Sequence, residues 1–310
     1  MTEKGSARSR PSRAPAARRS FALLVNPTAG GGKAQRALPA VKAELDRLGA
    51  THRTVETKST EHAADEARRA AAAGETVAAL GGDGFIRPIA GALRDSTAAV
   101  AIIPGGRGND LARVLGVPSD PARAARVAVE GEEWLMDVAE VDGTPYVGIA
   151  SLGFDSEANR IANDARLVKG NLVYLYAALR ALASWKPAAF DVTVDGKRHE
   201  VTGYCVAVGN SKAYGGGMFM LPDALLDDGE LDVLIVGQQS KLRALLDLPK
   251  VFKGTHVDSP NAHLARGKEV AVNADRPFVV YADGDPVGAT PATMRVQARC
   301  LRVIRPPTAG

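Results

Sequence analysis

Residues 77–93, VAALGGDGFIRPIAGAL, place a cluster of glycines between two apolar segments. The run 77–80 is typical of a strand buried on both faces, and the apolar spacing over 86–93 is compatible with a helix. A strand that passes through glycines into a helix presents backbone N–H groups and a helix N-terminus to an anion. Taken alone, the segment predicts equally well a phosphate-binding loop or a tight turn with an acidic cap.

Two further glycine clusters each follow an apolar run of strand type. The cluster at 26–33 follows residues 21–25, and the cluster at 104–110 follows residues 99–103. The first lacks the spacing of a Walker A loop. Because such loops lie at the carboxyl ends of parallel strands, where open sheets bind ligands, we expect all three at one edge. Their repetition favours phosphate binding over an ordinary turn.

Strand and helix patterns alternate along the first part of the chain. Apolar spacing predicts helices at about 34–48 and 60–73, the second capped by Ser59 or Thr60, with a strand at 53–56 between them. This alternation predicts an α/β fold with a doubly wound parallel sheet. We expect this domain to cover residues 21–137.

After about residue 137 short alternating segments dominate, with glycine-bearing turns between them. This pattern is typical of a β-rich sandwich or a curved antiparallel sheet. The longer apolar stretch 172–185 predicts a helix. We expect a β-rich domain over 138–294, followed by a strand at about 295–305 that returns to the first domain.

Composition narrows the class of protein. The net charge is +4, but residues 1–20 hold six basic side chains against one acidic one, so the rest of the chain is close to neutral. This favours a disordered basic tail at 1–20 and argues against a nucleic-acid-binding domain. No apolar run approaches the roughly 20 residues that span a bilayer, and the run at 21–25 is too short for an export signal. The two cysteines, Cys205 and Cys300, fit a reducing compartment.

Acidic residues recur at the predicted loops. Asp83 and Asp110 follow neighbouring strands, and two carboxylates held close together favour a cation such as Mg²⁺ between them. Four carboxylates at 227–232 predict either a β-turn or a cation site at Asp228. Asp283 and Asp285 follow the strand pattern 278–282, where a carboxylate serves as a general base or belongs to another acidic turn.

The ordered set of these motifs resembles the diacylglycerol kinase catalytic-domain family, within which soluble bacterial lipid kinases are most similar. The motifs are NPTAG at 26–30, GGDG at 81–84, PGGRGND at 104–110, YGGGM at 214–218, DGELD at 228–232 and ADGD at 282–285. Their order and spacing match over nearly everything after residue 20. The resemblance implies an α/β nucleotide-binding domain of the NAD kinase and diacylglycerol kinase type, a C-terminal β-rich sandwich domain, and a cleft between them.

The resemblance also implies an activity and the residues for it. The activity is transfer of the γ-phosphate of ATP to a lipid hydroxyl, most simply from diacylglycerol to phosphatidic acid. Asp285 would accept the proton with Asp283 beside it, and Asp83, Asp110 and Asp137 would surround the catalytic Mg²⁺. The implied nucleotide contacts are Asn26, Pro27, Thr28, Ala29, Gly30, Thr57, Gly81, Gly82, Asp83, Gly84, Gly106, Arg107 and Asn109. Asp228, with the carbonyls of Leu225 and Glu230, would hold a second, structural Mg²⁺.

Four positions depart from the family pattern. Phe85 and Arg107 replace threonines, Pro88 replaces a glutamate, and Asp285 is one methylene shorter than the usual glutamate. Loss of two hydroxyls weakens phosphate contacts, although a guanidinium at position 107 pairs well with phosphate oxygens. Phe85 either packs against the adenosine or fills the core. These departures leave open a nucleotide- or lipid-binding regulator without turnover, and the shared GGDG loop leaves open an NAD-type acceptor.

A lipid acceptor implies a membrane partner. We expect a cytoplasmic protein at the inner face of the membrane, in peripheral contact with an anionic surface to which the basic tail is weakly attracted. Residues 172–185 and 218–221 are candidates for an acyl-chain groove, with ordinary core packing as the alternative. A homodimer is a further prediction, and no nucleic-acid partner is expected.

Overall fold

The first half of the chain alternates strands and helices around a parallel sheet. The computed structural model describes residues 19–164 and 172–307. Its first elements are β1 Phe21–Val25, α1 Ala29–Arg47, β2 His52–Glu56, α2 Thr60–Ala72, β3 Thr76–Gly81, α3 Asp83–Leu93, β4 Ala99–Pro104, α4 Asp110–Val114 and α5 Pro121–Glu130. The predicted strands and helices of this half are confirmed to within a few residues, and α5 was not predicted.

The parallel strands lie in the order β2-β1-β3-β4. β1 and β3 are buried along their whole length, because helices cover both faces of the sheet. The register pairs Val25 with Leu80 and Leu80 with Ile103, so the three strands end level with one another. Their following loops therefore meet at one edge, around the point between β1 and β3 where the strand order reverses.

Two helix starts explain how the loops are held. Of the two predicted caps, Ser59 is the one that caps α2, because its side chain accepts a hydrogen bond from the His62 N–H. In α1, Gly30, Gly31 and Gly32 have φ angles of 59°, 68° and 83°, so the regular helix begins only after them. The N–H groups of Gly31 and Gly32 donate to the Thr28 carbonyl at 3.1 and 3.4 Å, and glycine adopts this left-handed conformation without strain.

The second half is β-rich, as predicted. Its elements are β5 Glu132–Val141, β6 Thr144–Tyr146, β7 Ile149–Gly153, α6 Phe154–Asp164, α7 Leu172–Ser184, β8 Ala188–Val194, β9 Lys197–Gly209, β10 Leu231–Gly237, α8 Lys241–Val251, a 3-10 turn Thr255–Asp258, β11 Ala262–Gly267, β12 Glu269–Ala274, β13 Val279–Ala282, β14 Asp285–Ala289 and β15 Ala292–Arg305. Antiparallel pairing joins β14, β13, β7, β9, β8 and β12 in that order, with β10 and β11 beyond β9. The predicted helix at 172–185 is confirmed as α7.

β15 connects the two halves. Its first part pairs antiparallel with β12, where Met294 faces Val270, and its last part runs parallel to β4, where Arg302 faces Ala99. One hydrophobic core surrounds β1, β3 and β4, and another lies among the antiparallel strands. The domain limits expected at residues 137 and 294 stay predictions. Among the described residues, none of the helices combines the length and the hydropathy needed to cross a bilayer.

Candidate active site

The three glycine-rich loops and the turn after β13 surround one open cleft of about 860 Å³. Its size is within the range of ligand pockets in proteins. The predicted nucleotide contacts that line it are Asn26, Pro27, Thr28, Ala29, Gly30, Thr57, Gly82, Asp83, Gly84, Gly106 and Arg107. Gly81 and Asn109 support this lining from behind through hydrogen bonds within the loops. Asp283 and Asp285 line the same cleft.

The first loop is shaped by Asn26. Its Oδ1 accepts hydrogen bonds from the backbone N–H and the hydroxyl of Thr28, at 3.2 and 2.9 Å. A Cβ added to Gly30 would lie 2.7 Å from the carbonyl oxygen of Gly105, so only glycine allows this approach. Thr57 donates its buried hydroxyl to the Val25 carbonyl at 3.0 Å, which fastens β2 to the end of β1.

The second and third loops touch through their backbones. The Gly105 N–H donates to the Gly81 carbonyl at 2.7 Å, and a Cβ added to Gly106 would lie only 2.4 Å from the Cα of Gly82. Asn109 does not cap α4; its amide bonds both the N–H and the carbonyl of Gly106, at 2.8 and 3.1 Å. These contacts leave a cradle of bare backbone, which a Cβ would fill.

Asp83 and Asp110 converge beside Gly108. A Cβ added to Gly108 would lie 2.8 Å from an Asp110 oxygen and 3.1 Å from an Asp83 oxygen. Asp83 accepts the Leu111 N–H at 3.1 Å, and Asp110 accepts the Gly216 N–H at 2.7 Å and a charged hydrogen bond from Arg113. Burial raises the pKa of Asp110, and the negative charge of Asp83 raises it further. A bound cation would relieve this repulsion.

Asp283 occupies a turn at the other wall of the site. Its two oxygens accept the backbone N–H groups of Val147 and Gly148, at 2.9 and 2.8 Å. Burial raises the pKa of Asp283 to about 7, with a further upward contribution from Asp83, against the lowering effect of these hydrogen bonds. A carboxyl group in a cleft with a pKa near the working pH is a candidate general base.

Asp285 lies two residues further on and faces Arg87 of α3. The distance from Arg87 Nη2 to Asp285 Oδ2 is 3.4 Å, and a Cβ added to Gly84 would lie 2.8 Å from the same oxygen. The structure therefore brings the turn after β13 against the glycine loop after β3. Arg87 was not predicted as a site residue, because its partner is distant in the sequence.

Asp137 and Asp228, two acidic residues predicted to bind magnesium, are not among the residues that line the cleft. Both oxygens of buried Asp137 accept backbone N–H groups, from Gly229 at 2.7 Å and from Arg299 at 2.6 Å. Burial raises the pKa of Asp137, while these two bonds oppose the rise. Its side chain thus fastens the 226–229 loop to β15, and its membership of the magnesium network stays a prediction.

Asp228, the predicted ligand of a second Mg²⁺, faces a protein cation. The guanidinium of Arg266 contacts Asp228, Glu230 and Asp232. Arg266 thereby supplies positive charge to the cluster at 227–232. Within residues 19–164 and 172–307 no group of three or more acidic, histidine or cysteine side chains is arranged to hold a metal ion. The Leu225, Asp228 and Glu230 site stays a prediction.

The departures from the family pattern have distinct surroundings. Phe85 is buried in the core and also lines the cleft, and its ring packs against Gly81 so closely that a Cβ there would clash at 2.3 Å. Pro88 lies inside α3. Arg107 is exposed at the rim of the cleft. Of these side chains, Arg107 is the one free to turn toward a ligand phosphate.

A small cavity continues the site toward the β-rich half. It is lined by Asp83, Asp110, Gly148, Tyr214, Gly215 and Asp283, among others. Tyr214 also lines a larger apolar pocket between the antiparallel sheet and α8. Met218 and Met220 line this pocket as well, and a role of 218–221 in an acyl-chain groove stays a prediction. The YGGGM motif at 214–218 was the sequence clue to this junction.

Two polar atoms inside the apolar pocket lack partners among the described residues: His256 Nδ1 and Ser259 Oγ. His256 Nε2 lies 3.1 Å from the Met220 carbonyl, which can only accept, so Nε2 carries the proton and Nδ1 is an acceptor. Burial lowers the pKa of His256, which keeps the ring neutral. The pocket therefore suits an apolar molecule that carries a hydrogen-bond donor.

Both halves of the chain match known protein families. A sequence model described as the diacylglycerol kinase catalytic domain matches residues 20–141, and one described as the YegS C-terminal NAD kinase beta sandwich-like domain matches residues 148–305. A diacylglycerol kinase of Mycobacterium tuberculosis is 32% identical over 291 residues, covering 91% of this chain and 94% of the relative. A probable lipid kinase YegS-like of Pseudomonas fluorescens is 32% identical over 275 residues, covering 86% and 90%.

Solved structures show the same fold. The crystal structure of a diacylglycerol kinase from Bacillus anthracis (strain Sterne) superposes with a TM-score of 0.73 at 22% identity, covering 94% of this chain and 98% of that one. Another structure from the same organism gives a TM-score of 0.81 at 23% identity, covering 96% and 99%. The likeness extends over both halves of the chain.

Proposed function

This chain belongs to the diacylglycerol kinase catalytic-domain family of lipid kinases, and on that basis we propose that it transfers the γ-phosphate of ATP to the hydroxyl group of a diacylglycerol. The observation that carries the proposal is a row of three neighbouring cavities. The cleft of glycine loops and carboxylates shares Asp83 and Asp283 with a small cavity, and that cavity shares Tyr214 with the apolar pocket.

The cleft fits a nucleotide triphosphate. Gly82 and Gly106 approach so closely that any Cβ would fill the cradle, and the N–H groups of Gly31 and Gly32 hold the first loop in shape by donating to the Thr28 carbonyl. Bare N–H groups beside the N-terminus of α3 stabilise phosphate oxygens. Arg107, exposed at the rim, adds a guanidinium that pairs with phosphate. These features supply the binding and orientation on which phosphoryl transfer depends.

Asp83 and Asp110 fit a magnesium ion at the phosphates. They provide two carboxylates beside Gly108, and Mg²⁺ is commonly held by one or two carboxylates together with substrate phosphates and water. When bound, the ion would neutralise charge on the phosphate oxygens. Burial and the charge of Asp83 raise the pKa of Asp110, which means that its carboxylate is destabilised, and a cation beside it would stabilise the ionised form.

A carboxylate removes the proton of the lipid hydroxyl. In this proposal the O–H bond breaks toward Asp285 or Asp283, the lipid oxygen forms a bond to the γ-phosphorus, and the bond to the β-phosphate oxygen breaks with its electron pair going to ADP. Arg87 orients Asp285, and the N–H groups of Val147 and Gly148 orient Asp283. The proton acceptor and the phosphate cradle therefore line one cleft, as direct transfer requires.

The apolar pocket suits an acyl chain of the acceptor. Its lining includes Met218, Met220, Leu248 and Val251, and apolar area buried there favours binding by about 25 cal/mol per Å².

Phosphorylation of a defined lipid tests the proposal. Purified protein is incubated with ATP, Mg²⁺ and vesicles that contain diacylglycerol, and the lipid product is identified by mass spectrometry. Phosphatidic acid is expected, and its formation should require both ATP and diacylglycerol. ATP binding without any phosphorylated lipid would instead support a regulator, and phosphorylation of NAD in a parallel reaction would support a soluble acceptor.

A further inference from the structure

Helix α8, Lys241–Val251, is apolar on two opposite faces. Its inner face lines the apolar pocket with Ala244, Leu248 and Val251, which are spaced four and three residues apart. The outer face carries Leu242, Leu245 and Leu246 at spacings of three and one, which also fall on one side of a helix. A helix with two apolar faces is normally buried on both of them.

The outer face of α8 is in contact with water instead. Leu242 is 67% exposed, Leu246 is 62% exposed and Leu245 is 40% exposed. Phe252, directly after the helix, is 50% exposed and also lines the apolar pocket, so it stands at the mouth of that pocket. Contiguous apolar side chains on a surface mark a site of association with another apolar body.

Positive charge surrounds this outer face. The segment 241–253 holds Lys241, Arg243, Lys250 and Lys253, all exposed, against the single acid Asp247. Asp247 is buried and binds Arg243 at 3.3 Å and Lys250 at 2.8 Å. Lys241 donates to the Ala183 carbonyl at the end of α7, at 2.6 Å. The exposed leucines thus lie among basic side chains on a helix that Lys241 ties to the end of α7.

We propose that the outer face of α8, with Phe252, is the surface that docks this protein onto an anionic lipid bilayer. Leucines would enter the boundary between headgroups and acyl chains, while the basic side chains contact acidic headgroups. A diacylglycerol would then pass from the bilayer at Phe252 into the apolar pocket without crossing water. This inference rests on the proposed function, because it assumes a lipid as the occupant of that pocket.

Charge favours a bilayer over a second copy of the chain. A two-fold contact through α8 would bring the same patch of each copy together and oppose like charges. An acidic membrane surface provides complementary charge over the whole patch instead. The position of the pocket mouth on this surface points the same way, because a long-chain lipid is available only within a membrane.

Vesicle flotation tests the docking surface. The full-length parent protein should float with vesicles of phosphatidylglycerol and phosphatidylcholine, and float much less with phosphatidylcholine alone or at high salt. Leu242→Glu together with Leu246→Glu should lower the vesicle-bound ratio by roughly tenfold or more, the loss expected for removing a buried leucine. Val279→Glu, an exposed apolar position on β13, is the matched control and should bind as the parent does.

An activity assay with a water-soluble lipid acceptor distinguishes a loss of membrane docking from a loss of catalysis. With a short-chain diacylglycerol in solution, the double α8 variant should phosphorylate the lipid at the parent rate, which also shows that it is folded. Three results would overturn the inference: the parent fails to float with anionic vesicles, the double variant floats as well as the parent, or the double variant converts a stable parent dimer to monomers. Failure of the proposed function would look different, as vesicle binding without any lipid phosphorylation.

Discussion

Arg87 and Asp285 face each other across the cleft, with Arg87 Nη2 3.4 Å from Asp285 Oδ2. The pair links α3, which begins at the glycine loop after β3, to the first residue of β14. Arg87 Nε is buried without a partner among the described residues, while Nη2 of the same guanidinium faces the Asp285 carboxylate. One side of the Asp285 carboxylate is thereby oriented, while the residue remains partly open to the cleft.

If Asp285 accepts the proton, replacing it by asparagine removes the acceptor while the shape stays the same. We expect Asp285→Asn to lower kcat by about 10²–10⁴-fold, the usual contribution of general-base catalysis. Asp285→Glu keeps the carboxylate and should retain substantial activity. Nucleotide affinity, measured by calorimetry, should change little in both variants. An unchanged kcat in Asp285→Asn would exclude this residue as the acceptor.

The pH dependence of activity tests Asp283 separately. Burial raises its pKa to about 7, so its carboxyl is largely protonated at pH 6 and ionised at pH 8. A proton acceptor works only when ionised, so kcat/KM should rise about tenfold per pH unit below 7 and level off above it. A profile without this rise below pH 7 would rule out Asp283 as the acceptor. If Asp285→Asn shows the same rise, the titrating group is Asp283.

The predicted and observed bounds agree best for strands that are buried on both faces. β1 has the bounds Phe21–Val25 that its apolar run predicts, and β3 and β4 match closely, because strands covered on both faces read as continuous apolar runs. The meeting of the three loops was predictable for the same reason, since parallel strands of equal register end together.

Contacts between residues that are far apart in the chain could not be predicted from the sequence. Arg87 and Asp285 are 198 positions apart, and Asp137 and Arg299 are 162 positions apart. Such pairs depend on how two halves pack, and no local pattern encodes that. The charge of Arg266 beside Asp228 was missed in the same way. Apolar spacing also cannot tell which face of α8 is buried, because both faces carry aliphatic residues.

The close approach of the two loops makes Gly106 a sensitive position. A Cβ there would lie 2.4 Å from the Cα of Gly82, and a backbone atom cannot move aside cheaply. We expect Gly106→Ala to lower the free energy of unfolding by about 1–3 kcal/mol and to weaken nucleotide binding. Urea unfolding and calorimetry measure the two effects. Gly288→Ala on β14, where the nearest atom is 3.9 Å away, is the control and should change neither.

Asp110 should govern the response to magnesium. Asp110→Asn removes one of the two carboxylates beside Gly108, so the Mg²⁺ concentration at half-maximal activity should rise at least about tenfold. Because burial and Asp83 raise the pKa of Asp110, protons should compete with Mg²⁺, and the parent should need more Mg²⁺ as the pH falls. Asp65→Asn, at an exposed ion pair on α2, should leave the titration unchanged. Equal magnesium titrations for the parent and Asp110→Asn would contradict the assignment.

A substitution of Asp137 distinguishes a structural role of this side chain from a magnesium-binding role. Its two oxygens accept the buried N–H groups of Gly229 and Arg299, and an asparagine can accept only one of them while its NH₂ group faces the other. We expect Asp137→Asn to lower the free energy of unfolding by about 1–3 kcal/mol, the cost of a buried donor without a partner. The magnesium titration of activity should stay as in the parent. Asp191→Asn, at an exposed pair with Arg198, should cost little. A variant with parent stability but a weakened magnesium response would instead place Asp137 with Asp83 and Asp110, because only a group near the ion changes that response selectively.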